Sequence, residues 1–130
     1  MFYVIPYTLT ASDTVNNKKR IDKELTAGVI HQVDVLFQTG TEYKNLCEIW
    51  IGGSKMWPTN PEAAFRGDGT VISFREFVEL RGTVNTITVY FWTIDTSILK
   101  QIVVQIGLLQ KELIMPLSFD ALLKAIAGIS

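Results

Sequence analysis

The chain of 130 residues has the length of a single domain and is too short for two ordinary domains. Hydrophobic residues make up 48% of it and charged residues only 19%, so it can fill a core and still leave apolar surface for a partner. The net charge of −1 argues against a general nucleic-acid-binding protein, because such proteins carry a basic face.

The sequence also bears on where the protein is made. Residues 1–6 lack a basic leader and a small-residue cleavage site, so we expect no signal peptide. No apolar run has the length that crossing a bilayer requires, and the single cysteine, Cys47, excludes an intrachain disulfide. We therefore expect a soluble protein made in the cytosol, with no membrane and no nucleic-acid partner.

Runs of β-branched and aromatic residues predict strands along most of the chain. The first run, residues 2–10, contains Pro6, which cannot donate to a sheet ladder, so we predict an edge strand or an extended arm there. Residues 29–37 alternate between two faces, and residues 85–94 have the strongest strand composition. Further strands are predicted over residues 19–26, 46–51, 70–74, 77–80 and 101–109.

Seven to nine short strands at roughly even spacing are typical of an antiparallel β-sandwich or jelly roll. A parallel α/β fold would need helical crossovers between the strands, and the connections are too short to hold them. We therefore predict an all-β domain over residues 1–112, with an N-terminal arm.

The C-terminal residues 113–130 have a different pattern, that of a short amphipathic helix. Ser118 can cap the helix, and Leu117 before it suits a hydrophobic staple. The apolar positions that follow have the spacing of one helix face, and they are Phe119, Leu122, Leu123 and Ile126. Because so short a helix is unstable alone, we predict that this extension docks on its own domain or on a neighbouring subunit.

A turn-rich loop around residues 56–69 is the most irregular part of the chain. Its prolines fix the backbone, which lowers the entropy that a partner must overcome on binding. We predict that this loop is a contact surface anchored by Trp57, and that it shares this role with the two chain ends. Outside the C-terminal helix, the predicted interface residues are Trp57, Pro58, Asn60, Arg66, Asp68, Phe2 and Tyr3.

No set of residues has the spacing of a catalytic or metal site. The only histidine, His31, is expected to be buried and hydrogen-bonded, and Cys47 is expected to be a small buried hydrophobe. The 13 carboxylates are scattered, and Asp68 is expected to satisfy backbone donors of a turn rather than to bind calcium. We therefore predict a non-enzymatic protein that needs no cofactor and no metal.

Two other functions remain open, one that depends on aromatic residues and one that depends on acidic residues. The side chains of Trp57, Trp92, Tyr43 and Tyr90 could form a platform on which a sugar stacks. The chain would then be a carbohydrate-binding module for surface glycans. Alternatively, two acidic side chains could meet in a cleft, as the hydrolysis of glycosides requires. Sequence spacing places neither set in space.

A series of short motifs resembles a known group of proteins. It consists of Gly28-Val29-Ile30, Phe37, Trp57-Pro58-Thr59-Asn60-Pro61, Gly67-Asp68-Gly69, Ile72, Phe74, Glu76 and Leu80. Through these motifs the chain resembles small β-sandwich virion proteins encoded by tailed bacteriophages and environmental viral genomes, and the similarity covers roughly residues 25–109. It departs from them after Phe37, where Gln38-Thr39-Gly40 replaces a Pro-Gly pair. The resemblance implies a capsid decoration protein or a small tail component.

The residues are compatible with such a role. Low charge and two apolar chain ends provide surfaces for neighbouring subunits. We therefore expect a capsid decoration (cement) protein or another virion component that is assembled in the host cytoplasm and binds the major capsid protein or other virion proteins. Symmetric assembly as a homo-oligomer would let a modest patch repeat into a large interface.

Overall fold

The structure is a computed structural model of the chain, and it describes residues 1–110. These residues are all-β, and none of them forms a helix long and apolar enough to cross a membrane. The predicted helical extension over residues 113–130 lies outside the described residues. So do its five predicted interface residues, Leu117, Phe119, Leu122, Leu123 and Ile126.

Nine strands contain most of the described residues. They are β1 (Phe2–Thr8), β2 (Lys19–Leu25), β3 (Gly28–Phe37), β4 (Asn45–Ile51), β5 (Ser54–Trp57), β6 (Phe65–Arg66), β7 (Thr70–Leu80), β8 (Asn85–Thr93) and β9 (Gln101–Gln110). The predicted strands are present, and the short strand β5 lies beside them. The runs at residues 70–74 and 77–80 join into the single strand β7, and the turn-rich loop itself contains the short strand β6.

The strands form two antiparallel sheets. The first has the order β1-β9-β3-β7, and the second has the order β2-β8-β4-β5, with β6 also paired with β4. The pairing is nested, because β4 pairs with β5, β3 with β7, β2 with β8 and β1 with β9. The chain therefore pairs with itself as one long hairpin. Its tip is the turn at Gly52 and Gly53, whose φ angles of 56° and 84° favour glycine.

Both sheets contribute one face to a shared core. In the first sheet, Val33 lies opposite Ile106 and Val35 opposite Val104, and all four are fully buried. The second sheet supplies Cys47, Ile49, Ile87, Val89 and Phe91, which are also fully buried. Burying each large aliphatic or aromatic side chain contributes about 1.5–3 kcal/mol. The expectation that Cys47 is a buried hydrophobe is confirmed, and burial raises the pKa of its thiol.

Strand β1 is an edge strand, as Pro6 predicts. It pairs only with β9 within the described part of the chain, and Pro6 lies opposite Val103 with its side chain exposed. The missing N–H of Pro6 is tolerated at such an edge. Because Ile5 beside it is buried in the core, β1 belongs to the sheet and is not a free arm.

A β-bulge changes where the histidine of β3 lies. The register of β3 shifts around His31 against both neighbouring strands, so Ile30 and Val33 both face the core. The His31 ring lies against Phe2, with ring centroids 6.1 Å apart. Both rings border Gly107, where a Cβ would lie 2.9 Å from Phe2 and 3.1 Å from His31. His31 is thus half-buried against an aromatic ring rather than buried in the core.

The surroundings of His31 predict that stability depends on pH. Loss of water contact, followed by the positive charges of the amino terminus and Arg75, lowers the pKa of His31 in the folded protein. The unfolded chain therefore takes up the proton first as pH decreases. The free energy of unfolding should be highest above about pH 6.5 and should fall below it.

Urea unfolding at about pH 7.5 and about pH 5.5 measures this effect, since the interval contains the ordinary pKa of histidine but not that of aspartate. The stability of the His31→Gln variant should not change between these conditions. An equal decrease in both proteins would assign the pH effect to other groups.

Candidate functional site

The turn-rich loop places its tryptophan in the core. Trp57 ends β5 and is only 5% exposed. Its ring packs edge-to-face on Phe74 of β7, with centroids 5.7 Å apart. Its indole Nε1 donates to Glu76 Oε1 of the same strand at 3.2 Å. Trp57 therefore joins the second sheet to the first, and little of its ring is left for a partner.

A lysine organises the segment that follows. Pro58 is half-buried and Asn60 is exposed. The Nζ of Lys55 donates to the backbone carbonyls of Asn60, Pro61 and Ala63 at 2.8, 3.1 and 2.5 Å. Because an ammonium group has three donors, one side chain satisfies all three carbonyls and fixes the path of the loop.

Arg66 and Asp68 bind the connection between β3 and β4. Arg66 donates from Nε and Nη2 to the carbonyl of Tyr43 at 2.9 and 2.7 Å. Asp68 accepts from the backbone amides of Gly40 at 2.7 Å and Glu42 at 3.2 Å. The expectation that Asp68 satisfies backbone donors is confirmed, although these donors belong to the neighbouring loop.

The predicted interface residues do not form one surface. Phe2 is 55% exposed on the outer face of the first sheet, while Tyr3 packs against the core. Asn60 and Arg66 lie at the surface near the second sheet, and Trp57 lies between the sheets. Their role at an interface stays a prediction.

The predicted sugar platform is also dispersed. Tyr90 and Trp92 alternate with the inward-facing Phe91 on β8, so they lie on the outer face of the second sheet. Trp57 points to the opposite, inner side, and Tyr43 lies in the loop between β3 and β4. These four rings therefore cannot contact one ligand together.

A different tryptophan completes an aromatic pair on the outer face of the second sheet. Trp50 follows the inward-facing Ile49 on β4 and so points outward, next to Tyr90 of β8. The ring centroids of Trp50 and Tyr90 are 5.8 Å apart, and their planes meet at 74°. Trp50 is not among the residues predicted for a binding site. No local signal identifies it, because β4 carries apolar residues on both faces.

Glu48 holds the charged groups of this face together. It accepts a hydrogen bond from Trp50 Nε1 at 3.2 Å. It also forms ion pairs with the Nζ atoms of Lys18 and Lys55, each at 3.6 Å. The Nζ of Lys18 lies 4.0 Å above the centre of the Trp92 ring as well. With both oxygens engaged, Glu48 orients its neighbours.

A second charged pair borders Tyr90. Asp22 Oδ1 accepts from Thr88 Oγ1 at 2.7 Å and from Arg20 Nε at 3.0 Å. These bonds, that of Thr88 first, lower the pKa of Asp22, so its carboxylate is charged at neutral pH. The hydrogen bond and charge of Asp22, with a smaller contribution from Tyr90, raise the pKa of Arg20.

Two shallow depressions lie on this face. The Trp50 depression has a volume of about 360 Å³ and is lined by Arg20, Trp50, Gly52, Gly53, Thr86, Thr88 and Tyr90. The Trp92 depression has a volume of about 460 Å³, and Lys18, Glu48, Arg66 and residues 61–64 line it with Trp92. The hydrogen bond between Trp50 and Glu48 joins a residue of each, so the two depressions adjoin.

The outer face of the first sheet has a different chemistry. Pro6 of β1 lies opposite Val103 of β9, and Val103 lies opposite Leu36 of β3. Leu36 in turn lies opposite Val71 of β7. These four residues, here called the apolar row, cross the whole sheet. A depression of about 410 Å³ runs along part of it.

The candidate surfaces are therefore the apolar row on the outer face of the first sheet and the aromatic, charged outer face of the second sheet. Within residues 1–110, no three His, Cys, Asp or Glu side chains come together as a metal ion would require. No family model, curated protein or solved structure matches the chain. Proposals about function therefore depend on these two faces and on the resemblance of the motifs.

The position of Trp57 predicts a structural rather than a binding role. Trp57→Ala should lower the free energy of unfolding by roughly 3–5 kcal/mol, because it opens the core and leaves Glu76 without its donor. Urea unfolding measures this loss. Trp50→Ala is the matched control, and its loss should be smaller because Trp50 lies on an outer face. A Trp57→Ala variant as stable as the unmodified protein would place that ring at the surface.

Proposed function

We propose that this protein is a non-enzymatic structural component of a virion, such as a phage capsid decoration (cement) protein. It binds the major capsid protein or another virion protein through the outer face of its first sheet. It forms a homo-oligomer and is assembled in the host cytoplasm. The apolar row supports this function most directly, because an uncharged strip across a whole sheet is suited to a protein partner.

The order of the strands also supports a virion role. Nested pairing with four strands in the first sheet and four main strands in the second matches a jelly roll. Jelly rolls occur in viral capsid and lectin domains. Because one fold can carry many functions, the chemistry of the faces decides the function.

The apolar row is partly exposed and reaches the edge of the first sheet, where a protein partner can cover it. Val71 is 54% exposed on the edge strand β7, and it continues the row from Leu36. Burying such apolar area contributes roughly 25 cal/mol per Å² before the costs of association. Because β1 and β7 are both edge strands, the row reaches the two edges of the sheet.

A polar row beside the apolar row would give the contact its orientation. It contains Gln105, Asp34 and Ser73, which are direct cross-strand neighbours, and the apolar Val4 ends it on β1. The Ser73 hydroxyl donates to Asp34. An apolar centre with a polar rim is the usual composition of protein interfaces, in which the rim contributes more to specificity than to affinity.

Val71→Asp should disrupt this interface, because it places a charge in the apolar row. The mass of the purified full-length protein, measured by analytical ultracentrifugation, should be that of an oligomer. In the variant, self-association should weaken by about tenfold or more. Val84→Asp is the matched control, since Val84 is 60% exposed in the turn between β7 and β8 and lies outside the row. Its oligomer should persist.

The same variants test the virion role. Purified virus particles should contain the protein, and they should lose it when the gene carries Val71→Asp but not when it carries Val84→Asp. A monomeric protein that is also absent from particles would contradict the proposed function. Equal retention of both variants in particles would contradict the apolar row as the contact.

A further inference from the structure

We propose that the Trp50 depression, on the outer face of the second sheet, binds an uncharged oligosaccharide. This binding is separate from assembly through the apolar row, which lies on the outer face of the other sheet. The site combines Trp50 of β4 with Thr88 and Tyr90 of β8 and with Arg20 and Asp22 of β2.

The rings of Trp50 and Tyr90 supply apolar surface for the C–H groups of a sugar. Their planes meet at 74°, so they form a corner instead of a flat stack. The hydrogen bond from Trp50 Nε1 to Glu48 fixes the indole in this position. Because the ring is already held, a ligand can pack against it with little further loss of side-chain entropy.

Sugar hydroxyl groups need both acceptors and donors, and the pair Arg20 and Asp22 supplies both. The hydrogen bonds from Thr88 and Arg20 reach Asp22 Oδ1, and Oδ2 has no partner among the described residues. Arg20 uses Nε in this bond, while its side chain is 58% exposed beside Tyr90. Its terminal nitrogens can therefore donate to a ligand. Thr88 is buried and holds the acceptor in place.

The same pair disfavours an anionic ligand. An anion bound by Arg20 would lie beside the charged carboxylate of Asp22, which is 3.0 Å from Arg20 Nε. The carboxylate of Asp22 would repel a second anion at Arg20, and Arg20 already has its counter-charge. A ligand with hydroxyl groups can accept from Arg20 and donate to Asp22 without this cost.

The Trp50 depression and the Trp92 depression beside it on the same face give room for an oligosaccharide. The volume of about 360 Å³ is at the lower end of the range for ligand pockets, which is roughly 300–1,000 Å³. The adjoining Trp92 depression adds a volume of about 460 Å³ on the same face. At the other end, a Cβ built on Gly52 or Gly53 would meet nothing within 4 Å, so the approach is open there.

A glycan array that carries neutral and anionic oligosaccharides tests the site with the full-length protein. We expect binding to a class of neutral oligosaccharide. Titration of that oligosaccharide, followed by tryptophan fluorescence, should show that Trp50→Ala weakens the affinity by about tenfold or more. Arg20→Ala should have a similar effect, because it removes the donors. Val71→Asp is the control on the opposite face, and its affinity should not change.

Several results would overturn the site. These are no binding to any neutral oligosaccharide, binding to anionic glycans alone, or equal affinity in Arg20→Ala and the unmodified protein. Arg20→Ala decides the outcome if Trp50→Ala fails to fold, since the Arg20 side chain is largely exposed. If Trp50→Ala or Arg20→Ala loses glycan binding but still forms the oligomer, the two faces act independently.

Discussion

Nested antiparallel pairing is the constraint on which every surface of this protein depends. The partners β1 and β9, β2 and β8, and β3 and β7 bring together segments that are far apart in the sequence. Each pairing fixes a register, and the two-residue alternation of a strand then decides which side chains enter the core. The central strands β3, β9, β4 and β8 therefore contribute most of the fully buried residues. The side chains that do not enter the core form the two outer faces.

The same alternation decides which aromatic residues can bind a partner. Trp57 and Trp50 both lie on strands of the second sheet, yet one faces the core and the other faces outward. Trp57 contacts Phe74 and Glu76 of the opposite sheet and so stabilises the fold. Trp50 lies on the charged, aromatic face, whereas the outer face of the first sheet carries the apolar row. With this division, the outer face of the first sheet would hold the protein in an assembly, and the outer face of the second sheet would bind a glycan.

The all-β class, most strands and the edge position of β1 follow from the sequence, because strand composition and the missing N–H of Pro6 are local properties. The position of His31 does not follow, since the bulge depends on the registers of two neighbouring strands. Trp50 was not identifiable from periodicity, because β4 is apolar on both faces. Trp57 is buried by side chains of β7, which belongs to the other sheet. The sequence of the loop alone does not reveal this contact.

Hydrogen exchange of the three tryptophan indole N–H groups, followed by NMR, tests the division between core and outer faces most directly. The Trp57 indole is buried and bonded to Glu76, so it should exchange only when the core opens. The Trp50 indole lies on an outer face and should exchange many times faster. Replacing each tryptophan in turn by phenylalanine assigns the signals. A Trp57 signal that exchanges as fast as that of Trp50 would contradict this account of the fold and of its binding face.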